Sequence, residues 1–202
     1  MKGYHKFVFN TEKRCFVGKF EEMYKSEETE GFDSWHERDL RHLRKIIPYV
    51  CLSQYNFNRI FEIGCGKGTF TQFLKKINNH VIAVDISSTA IKKAKKSYPD
   101  IDFLSLDISH LNTSELLELI HGEVDLTVIM GTFAYIKNWP NILKKLSRIT
   151  QYCFIAEYIP PNPIGFVKSI DQLILEFAKY FTIITKIILD DEHCFLLGEV
   201  KG

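Results

Sequence analysis

Phe61-Glu62-Ile63-Gly64-Cys65-Gly66-Lys67-Gly68-Thr69-Phe70 is the stretch on which the reading of this chain turns. A short apolar run carries an acidic residue near its end, three glycines alternate through a turn, and a helix opens directly behind. Glycine lets backbone N–H groups approach a ligand without a Cβ in the way, and the start of a helix adds partial positive charge. The spacing is G-x-G-x-G, not the G-x-G-x-x-G of dinucleotide-binding turns, which disfavours a nicotinamide-dependent oxidoreductase.

Outward from that turn, apolar runs alternate with amphipathic stretches. Residues 59–63 read as a buried strand and 69–77 as a helix with Phe70, Phe73 and Leu74 inward. Strands are predicted at 81–84, closed by Asp85, and at 101–106, closed by Asp107. Further strands follow at 124–130 and 152–156. Helices are predicted at 88–96, 113–120 and 138–149, the second opened by a capping box of Asn112 and Glu115. This alternation calls for a parallel sheet with helices on both faces. After a helix at 166–180, strands at 181–189 and 193–200 are separated only by Asp190-Asp191-Glu192. That gap cannot hold a crossover, so the two are antiparallel.

The 202 residues are 46% apolar and 25% charged, the balance of one folded domain over 1–202. Lysine and arginine (26) nearly cancel aspartate and glutamate (25), so the bulk positive charge suited to a phosphate backbone is missing and no nucleic-acid partner is expected. The lysine pairs at 75–76, 92–93, 95–96 and 144–145 read as solvated helix faces. Five cysteines without a C-x-x-C pair suggest neither a disulfide framework nor a zinc site. No carboxylate–histidine cluster stands out, and no metal is expected. The start of the chain leads into no apolar leader, and no run approaches a membrane span. A cytoplasmic monomer or homodimer is the expectation.

Residues 1–50 are of a different kind. Phe16 to Phe32 is aromatic and acidic together, and Ser34-Trp35-His36-Glu37 has the spacing of a capping box opening a helix with Trp35, Leu40, Leu43, Ile47 and Val50 as its apolar stripe. This segment is expected to pack on the core as an arm or lid. At the opposite end of the argument stand Asp85 and Asp107, at successive strand ends beside the glycine turn. A carboxylate at the first can accept bonds from both hydroxyls of a ribose, and ligands of open α/β sheets bind off this edge. Either aspartate can equally be a helix N-cap.

Taken together these residues resemble the class I S-adenosylmethionine-dependent methyltransferases. The E-x-G-C-G-x-G turn, the V-I-A-V-D-I and L-S-L-D-I strand ends, and V-D-L-T-V-I-M-G fall in that family's order over residues 58–202. The resemblance implies an α/β, Rossmann-like seven-stranded sheet, mostly parallel, with the antiparallel C-terminal hairpin as its last element. It implies S-adenosylmethionine as cofactor and S-adenosylhomocysteine as product. Glu62, Gly64, Cys65, Gly66 and Gly68 would hold the methionine portion. Asp85 would take the ribose with Ile86 beside the adenine, Asp107 and Ile108 would border the adenine, and Met130 with Gly131 would lie under the methionine side. Nearest is the small-molecule branch that includes the nodulation-factor N-methyltransferase and sugar methyltransferases. That implies a small polar acceptor, a sugar or sugar nucleotide of surface polysaccharide biosynthesis among them. Strand four ends in Met130-Gly131-Thr132-Phe133, unlike the N-P-P-Y type of enzymes that methylate amides or adenine.

For the chemistry itself, Tyr24, Trp35 and His36 are the candidate lid residues, with Trp35 closing over the cofactor. Tyr135 and Glu157 follow strands on the ligand edge and are the candidates from the core. Three other readings stay open: a protein that binds the cofactor without transfer, a methyltransferase acting on RNA or protein, and a mouth lining that only shapes the pocket.

Overall fold

The computed structural model describes residues 3–37 and 39–202. Five parallel strands carry the core: β3 (Arg59–Ile63), β4 (His80–Asp85), β5 (Asp102–Ser105), β6 (Val124–Met130) and β7 (Thr150–Tyr158). With β8 (Phe181–Leu189) and β9 (His193–Val200) they form one seven-stranded sheet of order β5-β4-β3-β6-β7-β9-β8, in which β9 runs antiparallel to both of its neighbours. The predicted hairpin and both-face helix layers are therefore present.

Why these strands lie in the middle is visible in their side chains. Phe61 and Ile63 of β3, Ile82 and Val84 of β4 and Ile155 of β7 face one way. They pack on α6 (Thr113–Leu119), α7 (Trp139–Leu146) and α8 (Ile170–Phe177) through Leu116, Leu143 and Phe177. Their alternates Ile60, Val81, Ala83 and Phe154 face the other layer, α3 (Leu43–Ser53), α4 (Thr71–Leu74) and α5 (Ser88–Ser97), through Leu52, Leu74 and Ile91. Strands covered on both faces are near-continuous apolar runs, whereas β8, at the sheet edge, alternates buried with exposed positions. The Asn112–Glu115 capping box is formed on α6 as expected.

The helix expected at 69–77 stops after Leu74. Lys75 turns to extended backbone, and the Asn79 side chain accepts from Lys76 N at 2.7 Å and donates to Leu74 O at 2.7 Å, replacing the helical bonds.

The first residues build a separate layer over the strand ends: α1 (His5–Val8), a hairpin of β1 (Phe9–Asn10) and β2 (Cys15–Phe16), and α2 (Phe20–Glu30). The layer is clamped by charge. Both oxygens of Glu21 cap α5, accepting from Ser87 Oγ at 2.6 Å, Thr89 Oγ1 at 2.6 Å and Thr89 N at 3.1 Å. Burial pushes its carboxyl up, but these bonds outweigh it and hold the group at about 2. Buried Glu27 takes Lys67 Nζ at 2.8 Å on one oxygen and Lys93 Nζ at 3.0 Å on the other. At the far side, Arg14 Nη2 donates to Asn162 O at 3.1 Å and to Asn162 Oδ1 at 2.7 Å.

One expectation is overturned in this layer. Ser34–Glu37 opens no long helix: Ser34–His36 is a single 3₁₀ turn with Trp35 and His36 at φ 60° and 53°, and α3 starts only at Leu43, behind an N-cap from His42. A residue at positive φ cannot continue a right-handed helix. The Glu37 carboxylate that would have closed the capping box is drawn to the glycine turn instead, and Leu40, Leu43 and Val50 of the expected stripe are exposed.

Candidate active site

The C-terminal ends of β3, β4, β5, β6 and β7 open into a cavity of about 1120 Å³, roofed by the N-terminal layer. Parallel strands point their carboxyl ends and the following helix starts into this crevice, the usual ligand edge of such a sheet.

On the β3–β5 side the glycine turn wraps the end of β4, with Gly64 N and Cys65 N donating to Val84 O at 2.8 and 3.0 Å. Gly64 has φ 77°, and a Cβ there would fall 2.0 Å from Thr132 Oγ1; Gly66 has φ 55°, and a Cβ would fall 2.7 Å from Glu37 Oε1. Both positions thus require glycine, for conformation and for close approach alike. Gly68, expected among the ligand-facing residues, is not on the cavity wall. A Cβ there would lie 2.7 Å from the Phe103 ring, so this glycine seats the turn on β5. Cys65 lines the cavity, but burial pushes its thiol well up and leaves it unreactive.

Beneath the turn, Glu62 is buried and its Oε2 finds no donor among the described residues. Burial pushes this carboxyl up to about 7. Asp85 accepts from Gly66 N through Oδ2 at 2.9 Å and from Ser87 N through Oδ1 at 2.9 Å. Each oxygen keeps a lone pair for a ligand. Asp107 caps a turn, its Oδ1 accepting from Ser109 N at 2.9 Å and Ser109 Oγ at 2.6 Å, yet it also lines the cavity. The cap and the cavity position coexist. Ile86, Ile108, Met130 and Gly131 line the same wall, and an added Cβ on Gly131 would meet nothing within 4 Å.

Toward β6 and β7 the wall changes character. Phe9, Phe16, Phe20, Trp35 and Tyr135 form an aromatic cluster, with Tyr135 5.3–6.0 Å from the other four rings. Burial and the neighbouring Glu157 carboxylate hold the Tyr135 phenol well above its ordinary range. Glu157 is buried, its Oε1 accepting from Thr132 N at 2.8 Å and Phe133 N at 2.7 Å, while Oε2 has no partner among the described residues. Burial brings this carboxyl too up to about 7. Tyr24 is buried above the turn, with Oη 3.3 Å from Glu37 Oε1. His36 is not among the cavity-lining residues; its ring lies beside those of Tyr4 and His42, because positive φ at 35 and 36 sends Trp35 inward and His36 elsewhere.

Glu37 also lines this cavity, a position its sequence context does not announce. Its Oε2 accepts from Lys67 N at 3.1 Å and Thr69 Oγ1 at 3.0 Å, and burial pushes the carboxyl up to about 7. Its spacing to Ser34 satisfied a local explanation, so nothing in the sequence pointed 30 residues ahead to Lys67.

The family model described as "Methyltransferase domain" matches residues 61–152. The mitochondrial ubiquinone biosynthesis O-methyltransferase of Schizosaccharomyces pombe is 30% identical over 130 residues, 64% of this chain and 43% of that protein. The malonyl-[acyl-carrier protein] O-methyltransferase of Hamiltonella defensa subsp. Acyrthosiphon pisum is 28% identical over 92 residues, 46% of this chain and 33% of that one. The chain spans about a third to just under half of the curated relatives it matches. Among solved structures, N-methyltransferase NodS of Bradyrhizobium japonicum WM9 with S-adenosyl-L-homocysteine superposes at TM-score 0.69 and 18% identity, covering 89% of this chain and 98% of that one. The N-terminal domain of EvdMO1 with the same ligand and D-fucose superposes at 0.61 and 12% identity, covering 80% and 84%. Over residues 61–152 the chain matches a methyltransferase domain, and its fold is the one seen in class I S-adenosylmethionine-dependent methyltransferases such as NodS. The cofactor of that class is S-adenosylmethionine, and the wall at β3–β5 suits it. The orphaned Glu62 oxygen lacks what an ammonium supplies, and Glu37, Asp85 and Asp107 surround the same space with negative charge.

Proposed function

We propose that the protein transfers the methyl group of S-adenosylmethionine to a hydroxyl or amine of a small polar acceptor. The observation that carries this is the division of one cavity into an acidic wall with an orphaned carboxylate oxygen and an aromatic wall with a second one. Glu62 receives the ammonium of the methionine portion, Gly64 and Gly66 give it room, and Asp85 accepts from the ribose hydroxyls. Ile86, Asp107 and Ile108 border the adenine, while Met130, Gly131, Tyr24 and Trp35 close on the methionine side. When bound, the cofactor supplies an electrophilic methyl on a sulfonium whose leaving group is already in place.

The chain's own task is then to hold the acceptor in line and keep water out. The new bond uses a lone pair of the acceptor's oxygen or nitrogen, the sulfur keeps the electrons of the broken bond, and the acceptor's proton goes to Glu157 Oε2. Tyr135 keeps its proton and serves as a wall and donor. Residues 1–50 act as the cover over residues 58–202. Sugars and sugar nucleotides are the proposed acceptors: a sugar's C–H face packs on aromatic rings, and EvdMO1 was crystallised with D-fucose. The name of the ubiquinone enzyme supports oxygen as the methylated atom and that of NodS nitrogen.

Acceptor-dependent release of S-adenosylhomocysteine over a panel of sugars, sugar nucleotides and amines tests the reading. In Glu157→Gln, release is expected to fall about 100-fold, the usual worth of a general base, with S-adenosylhomocysteine affinity within about twofold of wild type. Cofactor binding with no transfer to any acceptor would leave a binding protein; full activity in Glu157→Gln would remove the base.

A further inference from the structure

Charge is unevenly shared inside the cavity. Its carboxylates Glu37, Glu62, Asp85 and Asp107 stand at or over the β3–β5 end. At the opposite end, between α3, β7 and the start of β9, Glu157 is the cavity-lining carboxylate among the described residues, and Arg44 and His193 line the wall with it. Of the other cations on the cavity wall, Arg14 is held by Asn162, Lys45 Nζ donates to the carbonyls of His36, Glu37 and Asp39, and Lys137 follows the turn after β6.

Arg44 is different. Its guanidinium lies over the Tyr158 ring at 5.3 Å from the centroid, and no carboxylate of the described residues comes within ion-pair distance. Arg44 lines the cavity together with Tyr4, Tyr135, Glu157 and His193, and its positive charge acts on each of them. A guanidinium resting on an aromatic face keeps its planar fork of N–H donors at the edge, the geometry that takes two oxygens of a carboxylate or phosphate.

We propose that the acceptor carries an oxyanion, seated on Arg44 against Tyr158, while its nucleophilic hydroxyl or amine reaches Glu157 Oε2. This rests on the reading of the aromatic wall as the acceptor side. An anion there is attracted by Arg44 and lies at the opposite end of the cavity from the four acids of the cofactor wall. The acceptor therefore has two polar ends separated by a body that packs on Tyr135, Phe16 and Phe20.

The test is calorimetric binding to the protein saturated with S-adenosylhomocysteine, in two series. One is 4-hydroxybenzyl alcohol, 4-hydroxybenzoate and phenyl phosphate; the other is glucose, glucuronate and glucose 1-phosphate. In at least one series the anions are expected to bind tenfold or more tighter than the neutral member, and the carboxylate and phosphate arms tell which oxyanion fits. In Arg44→Gln the preference should shrink to within twofold, with S-adenosylhomocysteine affinity unchanged. Equal binding of neutral and anionic members in both series, binding of none, or a preference that survives Arg44→Gln overturns the proposal. Failure of wild-type protein to bind S-adenosylhomocysteine is a separate result; it removes the cofactor reading and this proposal with it.

Discussion

The two walls of the cavity are built by different means. The wall at β3–β5 is built mainly from the glycine turn and from acids, with Asp85 fixed by the backbone N–H groups of Gly66 and Ser87 and Asp107 by that of Ser109. The wall at β6–β7 consists of long side chains from distant segments, with Phe9, Phe16, Phe20 and Trp35 brought onto Tyr135 from more than 99 residues away. The first wall suits a ligand that does not change. The second can be rebuilt by substitution without disturbing the sheet, since its rings belong to the layer above it. On the reading proposed above, cofactor binding is thereby separated from acceptor choice within one cavity.

That separation can be broken most forcefully at Asp85. Asp85→Ala removes both oxygens offered to the ribose and releases Gly66 N, and S-adenosylhomocysteine affinity is expected to fall at least about 100-fold, or roughly 2.7 kcal/mol, by calorimetry. Oxyanion probes should lose only what depends on the cofactor being present. If the variant binds within threefold of wild type, the β3–β5 wall is not the cofactor wall.

A smaller effect comes from Glu62. With its carboxyl held at about 7 by burial, the free protein carries a proton there in acid, and an ammonium binds the ionised form. Affinity for S-adenosylhomocysteine should therefore rise as pH climbs through 7 and level off above it, by at most about tenfold per unit on the acid side. Glu62→Gln should bind about tenfold more weakly at pH 8 and flatten the profile, any residual slope belonging to Glu37. A wild-type affinity flat from pH 6 to 8 would contradict the assignment.

The smallest effect sharpens the comparison from the arm. Glu21→Ala removes the cap on α5 and should lower stability by about 1 kcal/mol, read as a melting temperature lower by about 2–4 °C. Its folded carboxyl sits at about 2 against an ordinary 4.5. The stabilisation is thus complete above pH 4.5 and disappears as pH falls toward 2. The wild-type advantage over the variant should vanish over that window, and a constant difference from pH 7 to 2 would deny the cap its charge.

The same contrast explains which parts of the molecule the sequence reveals. The β3–β5 wall is local: an apolar run, a glycine turn and an aspartate at each strand end lie in sequence order, so Glu62, Gly64, Gly66, Asp85 and Asp107 were legible. The terminal hairpin was legible because three residues cannot make a crossover. The arm was not. Trp35 and His36 adopt positive φ in a turn held by contacts far along the chain, Glu37 to Lys67 and Trp35 to Tyr135 among them, and a local pattern reads such residues as a helix start. Arg44 carried no signal either, because an exposed arginine on a helix looks like any solvated charge.

The Arg14–Asn162 bridge carries one more consequence, for the order in which the molecule folds. The seats that the N-terminal layer occupies on the core all belong to later segments: Lys67 in the glycine turn, Ser87, Thr89 and Lys93 at α5, Tyr135 after β6, and Asn162 after β7. Non-local contacts of this kind wait for their partners. The roof of the cavity is therefore expected to close only after the strands beneath it have paired, with its phenylalanines the last apolar groups to be covered.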